Sequence, residues 1–210
     1  MAGSIGYTLP DSNTYTGMVK IYGDNMVPGS DSSPYKYCGV VGTFDNGILT
    51  ESYPFDITAP QIYKITPITV TIKNIGGITH AVLPSSAGES SPRSVVIRYG
   101  LNCTVSNVNV DCSTSYILIL FRECLHCSVI NSVIQLNNST NSNSYIFVPV
   151  CSSYIKVNNC HMFNANWHCV SSGEASNVLI DNDTPSLGYL TKCIYSYKII
   201  IDNCRLTTGK

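Results

Sequence analysis

Six copies of one short phrase constrain this chain more than any other feature of its sequence. Each copy ends in Asn, at Asn74, Asn107, Asn131, Asn159, Asn182 and Asn203. The residue two before it is β-branched: Ile72, Val105, Val129, Val157, Ile180 or Ile201. The residue four before it is apolar: Val70, Cys103, Cys127, Ile155, Val178 or Ile199. Apolar positions spaced by two lie on one face of a strand. Successive Asn residues are 33, 24, 28, 23 and 21 positions apart. That is too long for a hairpin and mostly too short for a strand–helix–strand unit of about 30 residues. Further strand-like runs lie between the copies, at 116–121, 145–150 and 191–195. Stacked coils of two or three short strands each account for the whole pattern.

In such a stack, like residues sit above like residues at about 4.8 Å. The −4 and −2 positions fill the interior. The Asn ends the strand, because Asn tolerates the left-handed conformation that a sharp bend needs. Its amide can bond to the Asn of the next coil. After the bend the +1 residues Ile75, Val108, Cys160 and Cys204 are expected to turn inward, followed at +3 by Val110, Ile134, Met162 and Leu206.

Over about 70–206 this Asn-terminated repeat resembles the right-handed β-helix of the pectate-lyase-like superfamily, which includes phage tailspikes. The expected fold class is all-β: a single-stranded right-handed parallel β-helix of about six coils, with an irregular N-terminal segment. Residues 1–36 carry no repeat and read as a lead-in or cap with an early strand at 18–22. Residues 37–210 read as the β-helix domain, with 37–65 as irregular coils. The runs 84–92 and 137–144 are polar surface loops by composition.

Net charge is −1, charged residues are only 12%, and there is no basic run, which argues against nucleic-acid binding. No apolar stretch of 18 residues exists to span a membrane. The N-terminus lacks the basic-then-apolar design of a signal peptide. Of the ten cysteines, Cys103 and Cys127 fall on the −4 ladder, and Cys160 and Cys204 at +1. Free Cys packs as a small hydrophobe, so these are expected to be reduced core thiols. Cys103 and Cys127 stack in adjacent coils; Cys160 and Cys204 are two coils apart, too far to bridge. Cys124-Leu-His-Cys127 is a lone CxxC without a second ligand pair, so no metal and no cofactor is assigned.

Asp181 and Asp202 share the outward −1 position in neighbouring coils. They should lie about 5 Å apart, the separation of a retaining glycosidase pair. Glycan-cleaving tailspikes resemble this arrangement; solvated carboxylates are the bland alternative. Glu123 and Glu174 are further acids near coil turns. Trp167, Tyr195 and Tyr197 offer rings for sugar stacking, or ordinary strand packing. Leu179 and Ile200 form an outward apolar pair that a partner should cover. The last coil ends at Leu206 with no cap, which points to a longer chain or a covering partner.

The resemblance then implies a virion component made in the host cytoplasm, a tailspike-like domain for attachment to cell-surface polysaccharide. Such proteins are commonly homotrimers and contact other virion proteins. A polysaccharide lyase or hydrolase, and a purely structural capsid or surface protein, are the alternatives. A bacterial surface or secreted location is the alternative to the virion.

Overall fold

The computed structural model describes residues 4–8, 14–22, 39–53, 57, 59–80, 93–112, 117–136, 145–163, 168–172, 178–181, 189–193 and 199–202. Side-chain packing is described within 14–22, 39–53, 57, 59–77, 95–110, 119–134 and 147–161. The described elements are all strands. Among them no helix is long and apolar enough to cross a membrane.

The first five strands are β1 (Ser4–Thr8), β2 (Gly17–Tyr22), β3 (Val40–Asp45), β4 (Ile48–Leu49) and β5 (Gln61–Thr66). They form one antiparallel sheet in the order β1-β5-β2-β3-β4. A strand over 18–22 matches expectation. The irregular coils expected over 37–65 do not form: β3 returns along β2 through Val19↔Gly42 and Ile21↔Val40, and β5 pairs β2 through Ile21↔Ile62. Asn46 and Gly47, both at positive φ, make the tight β3–β4 turn that the Phe44-Asp-Asn-Gly run allows. One face of this sheet closes a small core of Val19, Ile21, Val40 and Phe44 beneath Tyr15, Leu49 and Tyr53.

The rest of the chain runs in circuits. The strands are β6 (Thr71–Lys73), β7 (Ile78–His80), β8 (Arg93–Arg98), β9 (Thr104–Ser106), β10 (Asn109–Cys112), β11 (Ile117–Arg122), β12 (Ser128–Ile130), β13 (Val133–Leu136) and β14 (Tyr145–Val150). They continue as β15 (Lys156–Asn158), β16 (His161–Phe163), β17 (His168–Ser172), β18 (Val178–Asp181), β19 (Tyr189–Cys193) and β20 (Ile199–Asp202). Three parallel sheets result, ordered β20-β18-β15-β12-β9-β6, β16-β13-β10-β7 and β19-β17-β14-β11-β8. Each of the first four circuits adds one strand to each sheet.

The register is the one the repeat demands. Ile72, Val105, Val129, Val157, Ile180 and Ile201 align across the six-stranded sheet. Val105, Val129 and Val157 have no exposure at all. The second sheet adds Val110 and Ile134, the third Val95, Ile97, Ile119, Phe121 and Phe147, to the same core. Phe121 and Phe147 meet edge to face at 5.2 Å. Ile75, expected to turn inward, is 40% exposed; its circuit is the first, and only one neighbour stacks on it.

Three successive circuits each bend at three left-handed residues, not one. They are Tyr99, Asn102 and Asn107, then Glu123, His126 and Asn131, then Cys151, Tyr154 and Asn159, all with φ between 48° and 57°. Each bend keeps the interstrand ladder: Tyr99 N donates to Arg122 O, Asn102 N to Leu125 O and Asn107 N to Ile130 O, at 3.0–3.2 Å. The residue after a bend turns its own N–H into the core. There a cysteine or serine of the next circuit accepts it. Gly100 N donates to Cys124 Sγ, Cys103 N to Cys127 Sγ, Cys124 N to Ser152 Oγ and Val108 N to Ser132 Oγ, at 3.0–3.4 Å. Gly100 has no room for a side chain, since a Cβ would sit 2.9 Å from Cys103 Sγ.

Cys103, Cys124, Cys127 and Cys160 are buried free thiols, as expected. Burial pushes the Cys103 thiol up to about 11. The interaction with the Cys124 side chain, with burial, raises that of Cys127 further. Cys151 departs from the all-reduced expectation, because it is disulfide-bonded.

Candidate functional site

The outward face of the six-stranded sheet is where the repeat places its variable chemistry. Strand alternation sends the −2 residues inward and the −1 and −3 residues outward. The −1 column runs Lys73, Ser106, Ile130, Asn158, Asp181 and Asp202 in register. The −3 column runs Thr71, Thr104, Ser128, Lys156, Leu179 and Ile200. Thr104 Oγ1 and Ser128 Oγ share a hydrogen bond of 3.3 Å. The Asn column borders this face. Asn107 Nδ2 donates to Asn74 Oδ1 at 3.2 Å, and Asn159 Nδ2 to Asn131 Oδ1 at 2.7 Å. Asn109, Val133 and His161 are exposed on the far side of the bend. Hydroxyls, amides and single charges thus line one long face.

Asp181 and Asp202 are direct register partners on β18 and β20, and Leu179 and Ile200 likewise. Adjacent parallel strands bring such backbones to about 4.8 Å. Their side chains lie outside the described packing. Trp167, Tyr195, Tyr197, Asn182 and Asn203 lie outside the described residues, as do Glu174 and the loops 84–92 and 137–144.

A second set of polar residues, not visible as a motif, joins the antiparallel sheet to the coils. Met18, Val41 and Ile65 pack on Leu125, beside Tyr99, Leu101 and Tyr154. These belong to three successive circuits, so the sheet lies along the side of the stack. Lys20 on β2 forms a buried ion pair with Glu123. Lys20 Nζ also sits 4.8 Å from the Tyr22 ring. Glu123 is therefore a structural partner and not a free acid near a turn. Glu51 receives the Thr43 amide and hydroxyl at 2.6 Å each, the Thr50 hydroxyl at 3.0 Å, and pairs with His126 Nε2 at 3.0 Å. Burial by itself would raise the Glu51 carboxyl, but the hydrogen bonds from His126, Thr43 and Thr50 outweigh it and lower it to about 2. Tyr154 caps the junction: its hydroxyl donates to Ser52 O at 2.6 Å, and its ring lies 5.0 Å from His126.

His126 is the histidine inside the CxxC run. Its two flanking cysteines face the core while it faces Glu51, so the run is a bend and not a ligand cluster. Among the described residues no three His, Cys, Asp or Glu side chains converge to hold a metal ion.

No protein-family profile and no curated protein matches the sequence. Solved structures do. The tailspike protein gp49 of Pseudomonas phage LKA1 is similar over 97% of this chain, with a TM-score of 0.69 and 15% identity. This chain spans 39% of that protein's length. The gp54 tailspike of Acinetobacter baumannii bacteriophage AP22, in complex with a capsular saccharide, aligns over 88% of this chain and 44% of its own, at 11% identity and a TM-score of 0.42. The fold is tailspike-like and all-β.

Proposed function

We propose that this chain is a right-handed parallel β-helix segment of a phage tailspike, carried on the virion, that attaches to host-surface polysaccharide. The observation that carries the reading is the fold likeness to the LKA1 tailspike over 97% of the chain. The Asn-terminated repeat adds the resemblance to the pectate-lyase-like superfamily. The outward face of the six-stranded sheet supports glycan attachment, because its hydroxyl and amide columns match the donors and acceptors of a sugar chain. Trp167, Tyr195 and Tyr197 are the proposed stacking rings.

Assembly as a homotrimer belongs to the same reading. Leu179 and Ile200 share an outward column on neighbouring strands. An apolar column there is poor surface for a monomer, and closed symmetric assembly would cover it. Light scattering tests this. A trimer that Leu179→Lys/Ile200→Lys dissociates is expected; a stable monomer overturns the assembly.

The register of Asp181 with Asp202 favours a second reading, glycan cleavage on the same face. One assay separates the two. Binding to a polysaccharide panel, with no new reducing ends or unsaturated products, fits attachment alone. Product release that Asp181→Asn abolishes fits cleavage. Failure to bind any member of a broad panel leaves a purely structural protein.

A further inference from the structure

Cys151 is held in a disulfide, whereas Cys103, Cys124, Cys127 and Cys160 are free thiols. Its partner is therefore Cys38, Cys112, Cys169, Cys193 or Cys204. A disulfide needs Cα atoms within about 7 Å of each other. Backbone register puts four of the five beyond that limit. Cys169 falls between His168 and Val170, which pair Tyr145 and Phe147 of β14. It is one strand up but five residues back, about 16 Å along the strand. Cys193 pairs Ser172, two residues past the Val170↔Phe147 pair. It lies two strands above β14, about 9.6 Å away. Cys204 follows Asp202, which stacks through Asp181 on Asn158 of the Cys151 circuit, again two strands up. Cys112 ends β10, before the chain enters the third sheet, and Cys151 follows its exit from that sheet. A six-residue strand, about 20 Å long, separates them.

Cys38 and Cys204 lie outside the described residues, but the described contacts carry the start of β3 to the bend at Cys151. Cys151 follows Val150, which pairs Arg122, and Glu123 N donates to Val150 O at 2.9 Å. Cys151 thus stacks on Glu123. Lys20 of β2 holds Glu123, and Lys20 is the register partner of Val41. From the other side, the Tyr53 hydroxyl donates to Val41 O, and the Tyr53 ring meets the Tyr154 ring at 6.2 Å. Tyr154 is three residues past Cys151. Val41 therefore stands between Glu123 and Tyr154, over the circuit that holds Cys151. Cys38 is three residues before Val41, within about 10 Å of chain. Gly39, beside it, is buried against β2, where a Cβ would meet the Ile21 carbonyl. Cys151 is 2% exposed and packs with Leu120, Val148 and Val150.

We infer that Cys151 is bonded to Cys38, and that this bond is a redox-set clasp between the antiparallel sheet and the coils. Its formation balances as thiol–disulfide exchange with a small-molecule disulfide, oxidised glutathione. One protein thiolate attacks that disulfide and releases one glutathione thiolate; the second attacks the mixed disulfide and releases the other. Two protein thiols are oxidised, one glutathione disulfide is reduced, and the two protons end on the glutathione thiols. The cysteines are 113 positions apart, so the bond closes a long loop and restricts the unfolded chain strongly. In a reducing medium packing, the Lys20–Glu123 pair and the Glu51 contacts hold the sheet. An oxidising medium adds the covalent link. The clasp is independent of the attachment reading.

The test is peptide mapping of the intact chain after incubation with oxidised glutathione, the protein being unfolded directly into N-ethylmaleimide to block free thiols. Trypsin is expected to release 37–64 joined to 123–156, with fragmentation placing the bond at Cys38 and Cys151. The unreduced chain should run as a monomer on a denaturing gel. Reductant should lower the wild-type melting temperature by at least about 5 °C and leave Cys38→Ser unmoved. Cys151→Ser and the double variant should melt with Cys38→Ser, because all three lack the same bond. Should the variants fail to fold, the wild-type peptide map still decides. Cys151 joined to any other cysteine, joined to a second chain, or recovered wholly as its maleimide adduct overturns the clasp. A reductant effect on Cys38→Ser as large as on wild type does the same.

Discussion

The antiparallel sheet and the coiled region are both built of short strands, yet different interactions hold them. In the coils every residue repeats its neighbour's environment. Val105, Val129 and Val157 stack in one column, and the bend at Asn107 is repeated at Asn131 and Asn159. One favourable contact is thus used several times over. In the antiparallel sheet nothing repeats. Val19, Ile21, Val40 and Phe44 meet once, in a core that Tyr15, Leu49 and Tyr53 finish. That sheet buries its second face only by lying on three circuits of the coil. The coils need good stacking, and the sheet needs a surface to lie on.

The heaviest blow to the coils is a charge in the valine column. Val157→Asp places an unpaired carboxylate where exposure is zero, at a cost of several kcal/mol, on the order of a domain's whole stability. Loss of the cooperative melting transition is expected. A wild-type melting curve would show the column is not the core. Next in size is the clamp between the two regions. Lys20→Met leaves Glu123 buried without its partner, a change that costs about 3–5 kcal/mol. Proteolysis should then open residues 14–66 before the coils. The double variant Lys20→Met/Glu123→Met should regain most of the loss, and a double variant as weak as the single one would contradict the pairing.

A smaller effect concerns the thiol ladder. Cys127→Val keeps an apolar side chain but removes the acceptor for the Cys103 amide, at about 1–3 kcal/mol. Cys127→Ser restores an acceptor and should lose less in denaturant titration. If valine is the better substitute, the thiol serves only as bulk. The mildest perturbation is acid. The Glu51 carboxyl is lowered to about 2 in the folded chain, below its ordinary 4.5. Its contribution is complete above the unfolded value and is lost as pH falls from about 4.5 through about 2. The sheet-to-coil junction should loosen in that window, read as a falling melting temperature, and Glu51→Gln should flatten the slope.

The legible part of this protein was the part that repeats. Apolar spacing of two, with Asn two residues on, was enough to read the valine column, the register of Asp181 with Asp202, and the Asn bend with its amide ladder. Those features follow from one strand lying on the next, and the same local geometry recurs every 20-odd residues. The bends at Tyr99, Glu123 and Cys151 were not legible, because residues with no left-handed preference occupy them. There the hydrogen bonds between circuits offset the conformational cost. The cysteines read as core filler also accept amides that those bends turn inward. A sequence does not show which way an N–H will face.

By itself, then, the sequence determined that the chain stacks parallel strands, and which residues line the core. Only the tertiary structure decided how the described strands up to Thr66 pair into an antiparallel sheet. Lys20 meets Glu123 across 103 positions, and His126 meets Glu51 across 75. Such pairs leave no period to detect. They form because the stacked coils present the surface on which the sheet lies.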